Sequence, residues 1–504
     1  MKKQFVLGLD AGTTAFKGIL VSEDGRIINA ASREYSLNFR GNDIVEIDPE
    51  VYWESTVGII RQLLAESNIS PEDIKALAFS SQGETMVCVD DKGKPLRNAI
   101  VWMDNRSVSE AEAMKKDWSA QAILQKTGQT EILPLWPATR IKWLRDRETE
   151  IFKKVHKFLL VADYLLYRLT GTYASEQSLV SSTLYYDIVN KCYWEDMMDY
   201  LGIDAGQLPA VHPSGTSIGK ISSAAARETG LSGDTMIVTG AYDHPAGAIG
   251  SGNIQAGTIS ETTGTAMAMC VTLDEPMLEE NQILPCQCHA LSGKYFLLPY
   301  GQTAGMVLKW FRDVFCEEEV KLADQTGENP YQLLGSLAGK ISPGAEGLIM
   351  LPHLMGAGSP EFDVRVKGVF AGISPGLGKA HFIRAIMESV AFMVRRNITL
   401  LRESGISVSE IRALGGGARS GLWNQIKADV TGVPYITLES AESACLGAAI
   451  LAGTGCGIWT DIGQACDRVV KVKDRFLPDQ GKSAVYDQVY TRYISLYDHL
   501  SGYW

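Results

Sequence analysis

An α/β chain built from two large, similar units is what this sequence predicts, and three observations carry the prediction. The chain has 504 residues, too many for one ordinary core and enough for two large ones. Strand-like apolar runs alternate with helical patterns from residue 5, and the same alternation restarts near residue 235. Three glycine-rich turns each follow an apolar run: Asp10-Ala-Gly-Thr-Thr14, Thr262-Thr-Gly-Thr265 and Gly415-Gly-Gly-Ala418.

Taken in order, Phe5 to Leu9 and Gly18 to Val21 read as strands around the first turn, and the Asp24-Gly25 turn leads to a third strand through Ile27 and Ile28. Asp48 is placed to cap a helix with Pro49 at its first position, and Val51, Thr56, Ile59, Ile60 and Leu63 follow at helical spacing. A strand is expected over Ala76 to Phe79. In the second half, Met236 to Thr239 forms a strand before a loop, and Thr258 to Ser260 leads through the second glycine turn into Ala266 to Met269. Ile411 to Leu414, the third glycine turn and Leu422 to Asp429 then read as strand, turn and helix. The sequence carries no residue-level repeat and no low-complexity linker, so the duplication rests on element order. The boundary is expected near Gly247 to Gly252, dividing the chain into residues 1–247 and 248–504.

A formal charge of −12 without a basic block argues against nucleic acid or an anionic membrane as a partner. Nine cysteines, scattered singly except for Cys286-Gln-Cys288-His289, and the lack of a leader or an apolar run of membrane length fit a reducing, cytoplasmic setting. The Cys-x-Cys-His cluster shows neither a fourth ligand nor the usual zinc spacing, so packing is expected of it.

Several polar constellations suggest chemistry. Gly12 can bend the first turn tightly while backbone N–H groups and the Thr13 and Thr14 hydroxyls face an anion, with Asp10 opposite a metal-bound phosphate. A plain hairpin turn explains that pentapeptide equally well. Asp243, between a strand and a small-residue helix at the expected hinge, suits a general base and also suits a helix N-cap. The turn at Gly415 removes Cβ atoms that would block a flat ligand, or simply packs tightly; it lacks the G-x-G-x-x-G order, and no Walker A sequence occurs. Gln82, Glu84, Asp104 and Arg106 offer donors and acceptors for a polyhydroxylated ligand, and Trp102 an apolar face for sugar C–H groups. An Asp–Arg pair and a core tryptophan are the alternatives there.

With these residues in place the chain resembles the FGGY carbohydrate kinases, relatives of actin, hexokinase and the heat-shock chaperone ATPases, from Phe5 to the last helices. Gly368-Val-Phe-Ala-Gly-Ile373, seven further residues and His381-Phe-Ile-Arg-Ala-Ile-Met-Glu388 match the second family signature, while Pro137-Ala-Thr-Arg-Ile-Lys-Trp-Leu144 resembles the first less fully, with Arg140 in place of lysine and an unusual residue at the preceding position. The resemblance implies two ribonuclease-H-like domains with an ATP cleft between them. It makes Asp10, Gly12, Thr13, Thr14 and Lys17 the first phosphate loop and Thr263, Gly264 and Thr265 the second. Gly305 and Lys309 would contact the nucleotide, and Gly416, Gly417 and Asn424 the adenosine. Asp243 becomes the catalytic base, and Gln82, Glu84, Trp102, Asp104, Arg106, Asp243 and His244 the acceptor side.

The implied reaction moves the γ-phosphoryl group of ATP to a sugar or polyol hydroxyl, with Mg²⁺ held by Asp10 through water and domain closure excluding bulk solvent. Gln82-Gly-Glu-Thr85 and Val101-Trp102 resemble glycerol kinases, with Gly83 leaving room where those enzymes carry arginine. Gly240 to Gly250 and Leu414 to Ser420 resemble xylulokinases, although their Met-His pair is missing near Gln82 and the loop Met355 to Pro360 lacks their Glu-Arg. A pentulose-like acceptor follows, xylulose first. Glycerol, erythritol, a hexulose or a sugar acid are alternative acceptors, and a non-catalytic actin-like ATPase switch would leave the acceptor-side carboxylates idle. Self-association into a homodimer stays open.

Overall fold

The structure, a computed structural model, describes residues 3–504 and divides into two compact units that are not contiguous halves. The first comprises the chain to Ile254 with Thr272–Leu297 and Glu442–Lys471; the second comprises Gln255–Val271, Leu298–Ala441 and Val472–Trp504.

In the first unit, strands β1 (Phe5–Ala11), β2 (Ala15–Ser22) and β3 (Ile27–Glu34) form an antiparallel meander. Helix α1 (Glu50–Ser67) follows, and β4 (Ile74–Ser81) returns parallel to β1. The sheet is completed by β5 (Ser217–Lys220) and β6 (Met236–Val238), in the order β5-β6-β4-β1-β2-β3. The central strand β1 is apolar on both faces and buried along its length, whereas β3, at the edge, is largely exposed and polar, as position in a sheet dictates. The helix begins one residue later than predicted: Pro49 occupies the N-cap without a side-chain cap bond, and Asp48, just ahead of it, accepts the Glu50 amide at 3.0 Å.

Helix α2 (Asp243–Ser251) contains residues 247–251 of the expected boundary, because Ala246 to Gly250 are all buried and continue the helix. In the second unit β7 (Thr258–Thr263) and β8 (Met267–Leu273) make an antiparallel hairpin. Helix α3 (Lys379–Glu403) leads to β9 (Glu410–Leu414), which runs parallel to β7; helix α4 (Gly421–Thr431) then connects to β10 (Tyr435–Leu438), parallel to β9.

Helix α5 (Ser443–Gly455) belongs to the first unit, where it packs on α2, β1 and β4. It is apolar nearly all round, which suits a helix buried on every side. Gly447 and Gly8 make the contact possible: a Cβ on Gly447 would strike the Ala246 carbonyl, and one on Gly8 the Cys445 carbonyl. Strand β11 (Val472–Phe476), antiparallel to β10, closes the second sheet.

Each unit therefore carries an antiparallel hairpin whose first strand is flanked by two further parallel strands and an outer antiparallel one, the mixed α/β duplication that element order predicts. A separate core in the first unit gathers Met86, Ile100, Trp136, Ile141, Leu184 and Trp194. Cys286, Cys288 and His289 are buried in the first unit, with His289 Nδ1 accepting the Leu291 amide at 3.0 Å and burial lowering its pKa to about 3. All nine cysteines are free thiols. Among the described residues no helix is long and apolar enough to cross a membrane.

Candidate active site

The site of the first unit forms where parallel strands end. Asp10 lies opposite Ser80 across the β1–β4 pairing, and the short strand Ala241–Tyr242 runs beside Ser80 and Ser81 on the other side of β4. Asp243 follows immediately, so three carboxyl ends bring Asp10, Ser80 and Asp243 to one edge, the place where open α/β sheets bind ligands.

Gly12 closes the first turn by donating its amide to Ala15 O at 3.1 Å, and a Cβ there would come within 2.9 Å of that oxygen. Asp10 Oδ1 accepts the Ser80 hydroxyl at 2.7 Å. Burial raises the Asp10 carboxyl to about 7, and the neighbouring Asp243 charge adds to the rise while Ser80 opposes it. Lys17, paired with Asp10 across the hairpin, spends its ammonium on Glu442 at 2.8 Å.

The turn is braced from the acceptor segments. Gly12 O accepts Gln82 Nε2 at 3.0 Å and also the Tyr35 hydroxyl, and Thr13 Oγ1 accepts the Trp102 indole at 2.9 Å. Gln82 further donates to the Tyr52 hydroxyl at 3.0 Å and accepts from Thr85 at 2.9 Å, so its amide is committed to holding this turn. Tyr35 and Ser80 were not marked by the sequence; a serine ending a buried strand is its only trace.

Asp243 does not cap its helix. Tyr242 occupies the N-cap without a side-chain cap bond, and Asp243 is the first helical residue. Its Oδ1 is buried without a hydrogen-bond partner, 3.8 Å from His244 Nε2, although 37 % of the side chain as a whole is accessible. Burial raises this carboxyl and His244 opposes the rise. Ser178 Oγ, accepting the Tyr242 amide at 3.0 Å, fixes the backbone just ahead of it.

Glu84 is buried in the left-handed region with φ 55°. Burial carries its carboxyl to about 8, reinforced by the Asp243 charge and opposed by hydrogen bonds to Ser182 and Tyr242. The space beside Gly83, expected to be open to a ligand, is filled: a Cβ there would lie 2.8 Å from the Tyr242 ring and 3.2 Å from Ser182 Oγ. Asp104 and Arg106 spend their polar capacity on structure. Asp104 accepts the Val45 amide at 2.6 Å and both prongs of the Arg106 guanidinium at 2.8 Å, while Arg106 also meets Glu46 at 2.7 Å.

In the second unit, Gly264 donates to Ala266 O at 3.0 Å, the counterpart of the Gly12 turn. Gly305, first residue of the helix Gly305–Phe315, donates to Gly264 O at 2.8 Å, and Ala304 and Met306 both donate to Thr265 O. Lys309, further along that helix, is exposed and pairs with Asp313 at 2.7 Å. The Thr263 hydroxyl is occupied from both sides, donating to Glu261 and accepting from Lys427, and Lys427 Nζ lies 2.7 Å from Glu261 in a fully buried pair. A carboxylate in an otherwise uncharged strand was the available sequence signal for Glu261.

A cavity of about 390 Å³ opens beside the third glycine turn, lined by Leu414, Gly415, Ala418, Asn424, Thr437 and Lys473 among others. Asn424 donates to Ala418 O at 2.8 Å, and its Oδ1 is buried with no partner. Gly417 serves close packing, since a Cβ would lie 2.6 Å from Thr263 Cγ2.

Models of the FGGY family of carbohydrate kinases match this chain over residues 5–250 for the N-terminal domain and 260–456 for the C-terminal domain. A xylulose kinase of Staphylococcus epidermidis is 31 % identical over 497 residues, covering 99 % of this chain and 97 % of its own. A gluconokinase of Bacillus subtilis is 31 % identical over 451 residues, covering 89 % and 86 %. The crystal structure of a ligand-bound xylulose kinase from Lactobacillus acidophilus superposes with a TM-score of 0.89 at 26 % identity, over 99 % of this chain and 98 % of that one.

Proposed function

This chain belongs to the FGGY family of carbohydrate kinases, ATP-dependent phosphotransferases with an alcohol acceptor, and we propose that it phosphorylates a neutral pentulose-like sugar, D-xylulose first, with Asp243 as general base. One observation carries the reading: Asp243 presents a buried carboxylate oxygen that no protein group satisfies, at the strand ends that also hold Asp10. In the step assigned to it, the acceptor oxygen attacks the γ-phosphorus as its proton passes to Asp243. The bond from that phosphorus to the β–γ bridging oxygen breaks, and ADP leaves.

The amides around Gly12 and the Thr13 and Thr14 hydroxyls serve the transferred phosphoryl group, and the Gly264 turn serves the polyphosphate of the second unit. Gly305 positions the Gly264 turn, Lys309 lies downstream of it, and the cavity by Gly415, Gly416 and Asn424 takes the adenosine. Asp10 fits a divalent cation. It is a hard oxygen donor whose ionised form is disfavoured by burial and by Asp243, a situation that a cation relieves. Among the described residues no group of three metal-ligating side chains occurs, which matches an ion that takes most of its ligands from phosphate and water. Magnesium bound with the triphosphate would neutralise charge on its oxygens.

A neutral acceptor is preferred over a sugar acid on electrostatic grounds. Glu84, Asp243 and His244 face the acceptor side with Trp102, whereas the Arg106 guanidinium is spent on Asp104 and Glu46 and is not free to meet an acid group. The test is a panel of D-xylulose, other pentuloses, hexuloses, glycerol, erythritol and D-gluconate, followed by ADP release and product analysis. Preferential phosphorylation of a ketopentose is the expected result; product from glycerol or gluconate alone rejects the assignment.

A further inference from the structure

We propose that Arg140 is a positioning residue that sets acceptor preference by fixing the backbone of two separate acceptor segments, residues 82–86 and 101–106; the inference rests on the acceptor assignment above. Arg140 lies on the helix Pro137–Arg147 and is completely buried. Its Nη1 donates to Glu84 O at 2.7 Å, and its Nη2 donates to Trp102 O at 2.5 Å and Asp104 O at 3.3 Å. Nε has no partner, and among the described residues no carboxylate forms an ion pair with this guanidinium.

A buried cation whose hydrogen bonds go only to carbonyls is an unusual arrangement, because removing a guanidinium from water is costly and an adjacent carboxylate is the ordinary compensation. Burial lowers its pKa to about 10, opposed by Asp104 and Glu84, and at neutral pH the group remains charged. What the arrangement achieves is geometric. A planar fork reaches two chain segments at once from fixed directions, whereas an ammonium is a point charge on a flexible stem.

Two of the three pinned residues, Glu84 and Trp102, are those assigned above to the acceptor side; the third, Asp104, is tied to Val45 and Arg106. Glu84 keeps a left-handed backbone that a non-glycine residue adopts only when its surroundings hold it, and its carbonyl is one of the three held. Trp102 is held through its carbonyl by Arg140, through its amide by Thr85 and through its indole by Thr13. Loosening the fork therefore lets the Glu84 carboxyl and the Trp102 ring shift while the phosphate turn keeps its ties to Gln82 and Tyr35.

The experiment is steady-state kinetics of Arg140→Lys and Arg140→Gln in the full-length enzyme, with D-xylulose, D-gluconate and glycerol as acceptors and a thermal melt of each variant. The expected result for Arg140→Lys is a rise of about tenfold in KM for the best acceptor, a narrower ratio of kcat/KM between best and second-best acceptor, and a KM for ATP within twofold of the parent. Parallel changes in both KM values, unchanged acceptor kinetics, or loss of the cooperative melt in both variants would overturn the proposal. Glu84→Ala in the same assay separates the two levels: unmoved acceptor kinetics in that variant reject the acceptor assignment itself, whereas acceptor kinetics that respond to Glu84→Ala but not to Arg140→Lys reject the clamp alone.

Discussion

The two glycine hairpins of this chain share a backbone and differ in what stands beneath it. Gly12 and Gly264 close similar turns between antiparallel strands, each beside a parallel strand from later in its unit. In the first unit, among the described residues, the nearby carboxylates Asp10 and Asp243 form no ion pair with a lysine or arginine; Asp10 has one hydroxyl partner, and Asp243 Oδ1 has no hydrogen bond, with the His244 imidazole 3.8 Å away. In the second unit Glu261 is locked to Lys427 and Thr263 with none of the three exposed to any extent. The same hairpin is thus left electrostatically open beside the proposed place of ion, phosphoryl and proton transfer, and is braced by an internal ion pair where its proposed task is to hold a polyphosphate. Mutation should separate activity from stability accordingly.

The largest effect is expected in the open hairpin's neighbourhood. Asp243→Asn keeps the volume and removes the proton acceptor, so kcat should fall by about a hundred- to ten-thousandfold while the affinity for ATP, measured by calorimetry, changes little. Retention of near-parental turnover would remove Asp243 from the role of base and with it the contrast between the hairpins. The closed hairpin should behave in the opposite way. Lys427→Met leaves Glu261 charged and unpaired in the interior, a loss of about 3–5 kcal/mol in unfolding free energy. The double variant Lys427→Met with Glu261→Leu should regain most of it, as apolar replacements of buried pairs do. A urea titration in which the double variant is no more stable than the single one would show that this pair is worth more than its desolvation.

Much of this contrast is legible in the residues and part of it is not. Glycine turns after apolar strands, the restart of the alternation and the placement of Asp10 and Asp243 follow from local pattern, because turns and strand periodicity are local properties. What a polar side chain spends its hydrogen bonds on is not local. Gln82, Asp104 and Arg106 look like ligands in one dimension and turn out to be committed, Gln82 to Gly12 and Tyr52, and the Asp–Arg pair to each other and Glu46. Gly83 reads as vacant space until Tyr242 arrives from more than a hundred residues away to fill it. The discontinuous units have the same origin: α5 joins the first unit through contacts with α2 and β1 that no linker composition announces.

A smaller effect sharpens the open side by pH. Glu84 has a folded pKa of about 8, above its ordinary value of 4.5, so between those values the folded state holds a proton that the unfolded chain has lost. Its contribution to stability is complete below about pH 4.5 and is lost as pH rises toward 8; Asp10, raised to about 7, acts in the same direction over its own range. Glu84→Gln, which cannot ionise, should flatten the decline of Tm between pH 5 and 8 in the ligand-free enzyme. A variant whose melting profile falls as steeply as the parent's would place the titrating group elsewhere.

The smallest change is expected at Lys17–Glu442, the ion pair next to the open hairpin that most resembles the closed one. Its nitrogen–oxygen distance of 2.8 Å is close to the 2.7 Å of Lys427–Glu261, yet both side chains are about a third exposed. Water and salt screen such a pair, so Glu442→Gln should alter unfolding free energy by at most about 1 kcal/mol, and by less at high ionic strength. Lys17 freed from Glu442 remains on the strand position opposite Asp10, where it can turn toward a bound polyphosphate. The variant should accordingly leave the KM for ATP unchanged or lower it. A KM that instead rises severalfold without loss of stability would mean that Glu442 holds Lys17 in its working position, and the open hairpin would then depend on an ion pair as the closed one does.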